Sequence, residues 1–245
     1  MNKEREKLLS KLQALLNMAD TSRGSSEAEA QSFLKKAQEL MAKHGIEEME
    51  LADIGDKPTE MEIVEQRHDT GVRRRITDTY VFRILKKCFD VDVIFSHHRM
   101  VPGGPEKQTY ILIGDPLDVA FARIAIPIMH RTMVTTLGIF LKANSKTWTA
   151  VYEHSICEGV YQGFVTASEQ GKELATKVLS KEKKEQYGLI LVNKADAIQK
   201  YREDNYKNLK SCSRGPRDNS KDAAAYSTGF KAGASMDVKT GNKLK

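Results

Sequence analysis

Six histidines are the residues of this 245-residue chain that could most directly do chemistry, since imidazole binds metal ions and transfers protons near neutral pH. No H-E-x-x-H pair is present. His97 and His98 are adjacent in a predicted strand, so alternation of side chains directs only one of them toward a shared site. A metal site built from His98, His130 and His154 is the alternative to three structural histidines, and it would make the protein a metal-dependent hydrolase using histidines of residues 67–238.

Arginine and lysine offer a second chemistry, the binding of anions. Arg67 is followed six residues later by three consecutive arginines, Arg73, Arg74 and Arg75. The planar guanidinium group suits two-point contacts with phosphate. A second basic stretch, Ser211–Lys221, is rich in turn-forming residues. A solvated loop is the alternative interpretation of either stretch. The candidate nucleic-acid-binding residues are Arg67, Arg73, Arg74, Arg75, Arg214, Arg217 and Lys221.

Charge is distributed unevenly along the chain, whose formal net charge is +6. Residues 1–66 contain 9 Lys and Arg against 14 Asp and Glu, whereas residues 67–245 contain 30 against 19. A basic surface attracts polyanions such as DNA or RNA, although a lysine-rich solvated face would show the same balance.

Composition excludes several classes of protein. No window approaches eighteen consecutive apolar residues, so we expect neither a membrane span nor a membrane partner. The start, MNKEREKLL, lacks the apolar core of a signal peptide. Cys88, Cys157 and Cys212 are odd in number and form no C-x-x-C pair, which favours a reducing cytoplasm. Phosphate-binding loops, dinucleotide fingerprints and G-x-S-x-G elbows are absent, so we assign no catalytic residue and no cofactor.

The N-terminal region of the sequence predicts two helices, over Lys3–Asp20 and Ser26–Ile46. Their apolar residues recur at three- and four-residue steps, which gathers them on one stripe. Ser26 and Glu29 have the spacing of a capping box, and Gly45 supplies a stop. The short polar link between the helices predicts an αα-hairpin.

The run KLLSKLQALLNMADTSRGSSEAEAQSFLKKAQELMAKHGI closely resembles the N-terminal hairpin of a bacterial and phage family catalogued as a domain of unknown function. The resemblance covers roughly the first 46 residues, and the later segments ILIGDPLDVAFA and AYSTGFKAG resemble, more weakly, elements that follow this hairpin. It implies a prokaryotic or phage intracellular protein, and it brings no agreed activity and no catalytic residue.

Downstream, periodicity predicts a mixed structure. Residues 47–66 are acidic and read as a linker, whereas Thr77–Phe89 has helical spacing. Val91–Phe95 and Tyr110–Ile113 are short β-branched and aromatic runs that predict a two-stranded β-hairpin. Asp115 and the proline after it are typical of a helix start.

Further helices are predicted over 117–143, with a kink at Pro127, and over Trp148–Gln170. Lys172–Gln186 is predicted to be a solvated helix or arm, and Asn193–Leu209 to be weakly helical. Gly159 and Gly163 lie four apart beside aromatic residues, and Gly229 and Gly233 repeat this pattern. A glycine inside a helix costs about 1 kcal/mol relative to alanine, so we predict that these two helices approach closely; a ligand on the bare patch is the alternative.

These observations predict an α+β, mostly helical protein with an N-terminal αα-hairpin and a helical core carrying a small two-stranded β-hairpin. We divide the chain into a helical hairpin (1–46), an acidic linker (47–66), an α+β domain (67–238) and a tail (239–245). The predicted function is non-catalytic binding of DNA, RNA, or a host or bacterial protein through a basic surface, in the cytoplasm of a bacterial cell or phage-infected host.

Overall fold

The computed structural model describes residues 7, 10, 11, 14, 62–72, 75–99, 103, 104, 106–177, 179–207, 209 and 221–235. This part of the chain contains three β-strands and five α-helices. They are β1 (Val64–Val72), α1 (Arg75–Cys88), β2 (Val91–Arg99), β3 (Glu106–Gly114), α2 (Pro116–Ala143), α3 (Ala150–Lys177), α4 (Lys181–Asn205) and α5 (Ala223–Ser235). The predicted N-terminal hairpin and the tail lie outside the described residues.

The predicted antiparallel pair of β2 and β3 is confirmed, but a third strand joins it, and the sheet has three antiparallel strands in the order β1-β3-β2. The missed strand, β1, begins inside the segment interpreted as an acidic linker and includes Arg67. Its sequence, VEQRHDTGV, carries mostly polar side chains, because it is an edge strand that is only partly covered. Pairing with β3, rather than local pattern, defines it. A bulge between Asp69 and Gly71 interrupts the pairing, and Gly71 adopts a φ of 79° there.

β3 is the centre of the sheet and is covered on both faces. Tyr110 and Leu112 join the main core with residues of α1, α2 and α3. Ile111 and Ile113 point to the opposite face, where they pack with Ile198 of α4. This double burial explains the uninterrupted apolar run in the strand.

α2 starts where the sequence predicted. The Asp115 carboxylate accepts a hydrogen bond from the backbone N–H of Leu117 at 2.9 Å, and Pro116 occupies the first turn. Of the described helices, only α2 is long and apolar enough to cross a membrane by length and composition, although no run of eighteen apolar residues is present. Core helices of water-soluble proteins pass the same test, and one side of α2 packs in the core.

The segment Lys172–Gln186, predicted to be one arm, is divided between two helices. Ser180 caps α4, its hydroxyl accepting from the N–H of Lys183, while α3 ends at Lys177. The helices predicted over Thr77–Phe89, Trp148–Gln170 and Asn193–Leu209 are confirmed as α1, α3 and α4 with shifted boundaries.

α3 and α5 lie in direct backbone contact through the two glycine pairs, as predicted. A Cβ atom at Gly159 would lie 2.3 Å from the carbonyl oxygen of Tyr226, and one at Gly229 would lie 2.2 Å from that of Ile156. Only glycine fits this approach, so the cost of glycine inside a helix is offset by packing.

Candidate functional site

The histidines considered as metal ligands lie in separate environments. The Nε2 atom of His130 is 3.3 Å from the carboxylate of Asp78 and 3.4 Å from the hydroxyl of Tyr110. His154 packs edge-on against Tyr80, with ring centroids 6.1 Å apart. His98 belongs to β2, but its side chain lies outside the described residues. No group of three His, Cys, Asp or Glu side chains among the described residues could hold a metal ion.

The contacts of His130 belong to a buried polar network. The Tyr110 hydroxyl, in a fully buried side chain, donates to the backbone carbonyl of Asp78 at 3.2 Å. Burial, followed by the nearby Asp78 carboxylate, raises the pKa of Tyr110 well above its ordinary value. The phenol therefore stays protonated and acts as a hydrogen-bond donor that ties β3 to α1.

Three helices, α1, α3 and α5, run in the same direction. Contacts between α1 and α3 advance along both helices, from Thr77 with Glu153 through Arg83 with Glu158 to Lys87 with Glu169. Contacts between α3 and α5 advance in the same way through the glycine pairs. The N-termini of the three helices consequently lie at one end of the protein, where their dipoles add positive potential.

The backbones of two candidate anion-binding residues, Arg75 and Lys221, lie at this end, and the side chain of Arg75 lies outside the described residues. Arg75 is the first residue of α1, and Thr77, two residues later, donates to Glu153 in the first turn of α3 at 3.3 Å. Lys221 is followed by Asp222, whose backbone N–H donates to Ser155 of the same turn of α3 at 3.0 Å. Arg75 and Lys221 are 146 positions apart in sequence, yet both belong to segments that contact the start of α3.

The other candidates are distributed differently. Arg67 lies within β1, where its Nε atom is 3.7 Å from the carboxylate of Glu65. At about 3.3 Å per residue, it is about 16 Å from the end of that strand at Val72, so it lies away from the cluster at the helix N-termini. Arg73, Arg74, Arg214 and Arg217 lie outside the described residues.

The turn between α2 and α3 brings further basic and aromatic side chains to the same end. We call the set of Lys142, Lys146, Trp148, Tyr152 and Lys221 the basic corner. Sequence reasoning missed its first four members, although the string KANSKTWTAVY combines basic and aromatic residues and could have revealed them.

Internal contacts hold the basic corner in place. The Nζ atom of Lys146 lies 4.8 Å from the centre of the Tyr152 ring and 3.8 Å from the carboxylate of Asp222. A hydrogen bond with Tyr152 is the main cause that raises the pKa of Lys146. Trp148 is 58% exposed, and its indole N–H donates to Glu153 at 3.1 Å. The corner thus combines exposed ammonium groups with an exposed ring.

Burial of acidic side chains leaves the surface more basic than the sequence alone indicates. Asp115 caps α2, Asp78 lies beside His130, and both are buried. Asp118 pairs with Lys194, and Asp92 lies 3.0 Å from Lys86 and 3.3 Å from Arg202. Asp118 and Asp92 neutralise the basic side chains that they contact, so only the burial of Asp78 and Asp115 leaves the remaining surface more basic.

A cleft of about 970 Å³ lies between α4 and the start of β2. Its lining contains basic and acidic residues, and Lys86 and Arg202 already contact Asp92 in it. The lining contains four basic and three acidic residues, so the charge of the cleft is nearly balanced and favours neither a cationic nor an anionic ligand.

Comparison with known proteins addresses the N-terminal segment. Residues 7–48 match the family model described as protein of unknown function (DUF2786). This finding confirms that the N-terminal segment resembles a family of unknown function, and the remainder of the chain lies outside the match. No curated protein and no solved structure matches the chain.

Proposed function

We propose that this protein binds nucleic acid without catalysing a reaction, and that the basic corner together with Arg75 forms the binding surface. The observation that supports the proposal is the placement of Arg75, Lys221, Lys142 and Lys146 at the shared N-terminal end of α1, α3 and α5, where Lys146 lies 3.8 Å from Asp222, the residue after Lys221. Phosphate groups bind lysine and arginine side chains, which this end of the molecule offers together.

Arginines on either side of this surface in the sequence extend the proposal. Arg73 and Arg74 immediately precede Arg75, and Arg214 and Arg217 precede Lys221. We include all four in the proposed surface because of this adjacency. The resemblance of the N-terminal segment, together with the odd number of cysteines and the absence of a C-x-x-C pair, supports a cytoplasmic site of action in a bacterial cell or a phage-infected host.

The test measures binding of the full chain to fluorescently labelled single-stranded DNA, duplex DNA and RNA by anisotropy at 50 mM salt. We expect the triple variant Lys142→Ala, Lys146→Ala, Lys221→Ala to bind about tenfold or more weakly, because three phosphate contacts are lost. The matched control removes the same charge from α4, as Lys181→Ala, Lys184→Ala, Lys200→Ala; all three lysines are exposed there.

Two results would overturn the proposal. One is the absence of binding to every nucleic acid at low salt, and the other is an equal loss of affinity in the two triple variants. Affinity purification with and without nuclease then distinguishes a partner held through nucleic acid from an acidic protein partner bound directly.

A further inference from the structure

Trp148 is exposed in a way that is unusual for its residue type. The indole side chain is 58% exposed, although tryptophan is highly buried on average in folded proteins. It is also the only tryptophan of the chain. Its neighbours on α3 contribute to the core instead, as Tyr152 does by packing against Phe140 with ring centroids 5.6 Å apart.

The exposed ring is held in a fixed orientation. Its N–H donates to one oxygen of the Glu153 carboxylate at 3.1 Å, and the hydroxyl of Thr77 donates to the other oxygen at 3.3 Å. This chain of hydrogen bonds links the indole to α1 and α3. A ring already ordered loses little conformational entropy when a second ring stacks on it.

One lysine lies close to the ring along the chain and contacts Tyr152, the residue before the Glu153 that accepts the indole hydrogen bond. Lys146 is two residues before Trp148, and Tyr152 and Asp222 restrict its position. Lys221, immediately before Asp222, extends the same side, with its Nζ atom 5.8 Å from the centre of the Tyr226 ring. An ordered aromatic face beside ammonium groups is the combination with which proteins bind single-stranded nucleic acid.

We infer that the basic corner binds single-stranded nucleic acid in preference to duplex, with one base stacked on the indole of Trp148. This inference rests on the proposed function. The faces of bases are covered by their neighbours in a duplex, whereas a single strand can unstack a base and offer it to the ring. The ammonium groups serve the phosphates on either side of that base.

The test uses the full-length protein and three labelled 12-nucleotide probes: oligo(dT), an abasic strand of the same length and a duplex. The abasic strand keeps the phosphates and removes the bases. Because there is one tryptophan, its emission reports on this ring alone. We expect oligo(dT) to quench the emission and to bind about 5- to 150-fold more tightly than the abasic strand, the range for one stacked base.

Variants separate stacking from charge. Trp148→Ala should bind oligo(dT) about 5- to 150-fold more weakly than the unaltered protein does. Its affinity for the abasic strand and for the duplex should change by less than about twofold. Trp148→Phe, which keeps a flat ring, should retain part of the preference. Thermal melting checks that both variants fold, and the emission of the unaltered protein provides a test that needs no substitution.

Different outcomes reject different claims. Binding of all three probes with equal affinity and unchanged tryptophan emission overturns the single-strand inference and leaves the proposed function intact. Binding of none of them overturns both. A blue shift with vesicles of equal parts phosphatidylglycerol and phosphatidylcholine, without quenching by oligo(dT), also overturns the inference and indicates an anionic lipid surface instead.

Discussion

Gly163 of α3 lies so close to Phe230 of α5 that a methyl group on the glycine would be 2.3 Å from the carbonyl oxygen of the phenylalanine. The relationship is reciprocal, because a methyl group on Gly233 would lie 2.2 Å from the carbonyl oxygen of Val160. Four glycines therefore allow two helix backbones to touch, which favours weak Cα–H···O contacts along the interface. This contact sets the position of α5 and hence of Lys221 in the basic corner.

Alanine at these positions should destabilise the protein. Gly163→Ala and Gly229→Ala each place a methyl group against backbone rather than against a flexible side chain, so the helices must separate. We expect each to lower the free energy of unfolding by about 1 to 3 kcal/mol, although alanine favours the helix intrinsically. Urea unfolding followed by circular dichroism measures the change.

Two other helical glycines provide the matched control. Gly138 of α2 and Gly188 of α4 have no heavy atom within 4 Å of the added methyl group. Gly138→Ala and Gly188→Ala should therefore stabilise the protein by up to about 1 kcal/mol. Stabilisation by alanine at Gly163 as well would show that α3 and α5 do not pack as described.

Replacing Lys194 by methionine should cost stability in a pH-dependent way. Burial raises the pKa of Asp118 from its ordinary 3.8 to about 6, even though Lys194 opposes the shift, and loss of the lysine should raise it further. A carboxyl group whose pKa is higher in the folded state binds more protons there, so the free energy of unfolding falls as pH rises through that interval. We expect a loss of about 3 to 5 kcal/mol at pH 8 and a smaller loss at pH 5.

Removal of the carboxylate should relieve the same defect. Asp118→Asn added to Lys194→Met eliminates the unpaired buried charge, so the double variant should be more stable than the single one at pH 8. Denaturant unfolding at the two pH values decides the question. A loss that is equal at pH 5 and pH 8 would contradict the buried pairing of Asp118 with Lys194.

The hydroxyl of Tyr110 should contribute to stability through Asp78. Tyr110→Phe removes the donor at 3.2 Å from the Asp78 carbonyl without changing the shape of the core, and a loss of about 1 to 2 kcal/mol is expected. Tyr226 of α5 is half-buried, and Tyr226→Phe serves as the control. It should change the free energy of unfolding by less than about 0.5 kcal/mol. Equal effects of the two substitutions in chemical denaturation would remove the special role of the buried hydroxyl.

Salt should weaken nucleic-acid binding in proportion to the number of phosphate contacts. Log affinity plotted against log salt concentration should slope downward, and the Lys142, Lys146 and Lys221 triple alanine variant should flatten the slope by about 2 to 3. The control variant at Lys181, Lys184 and Lys200 should leave the slope nearly unchanged. Anisotropy titrations between 50 and 200 mM salt measure it, and an unaltered slope in the first variant would exclude the basic corner as the phosphate-binding surface.

Local sequence determined those elements whose signals are contained within one or two turns. Asp115 and Pro116 specify the start of α2, and apolar spacing specifies α1. The glycine pairs also predicted a close contact between two helices, because glycine inside a helix costs stability that no local interaction restores. Each of these predictions depends on residues that are neighbours along the chain.

Only the tertiary structure decided which distant segments meet. β1 carries polar side chains and becomes a strand because β3 offers it hydrogen bonds, an interaction that no local pattern encodes. Arg75 and Lys221 lie at the same end of the protein because α1, α3 and α5 pack in parallel, whereas Arg67 lies on the sheet. A protein surface is assembled from residues that are far apart in sequence. Composition therefore predicted a basic protein, whereas packing determined where its basic corner lies.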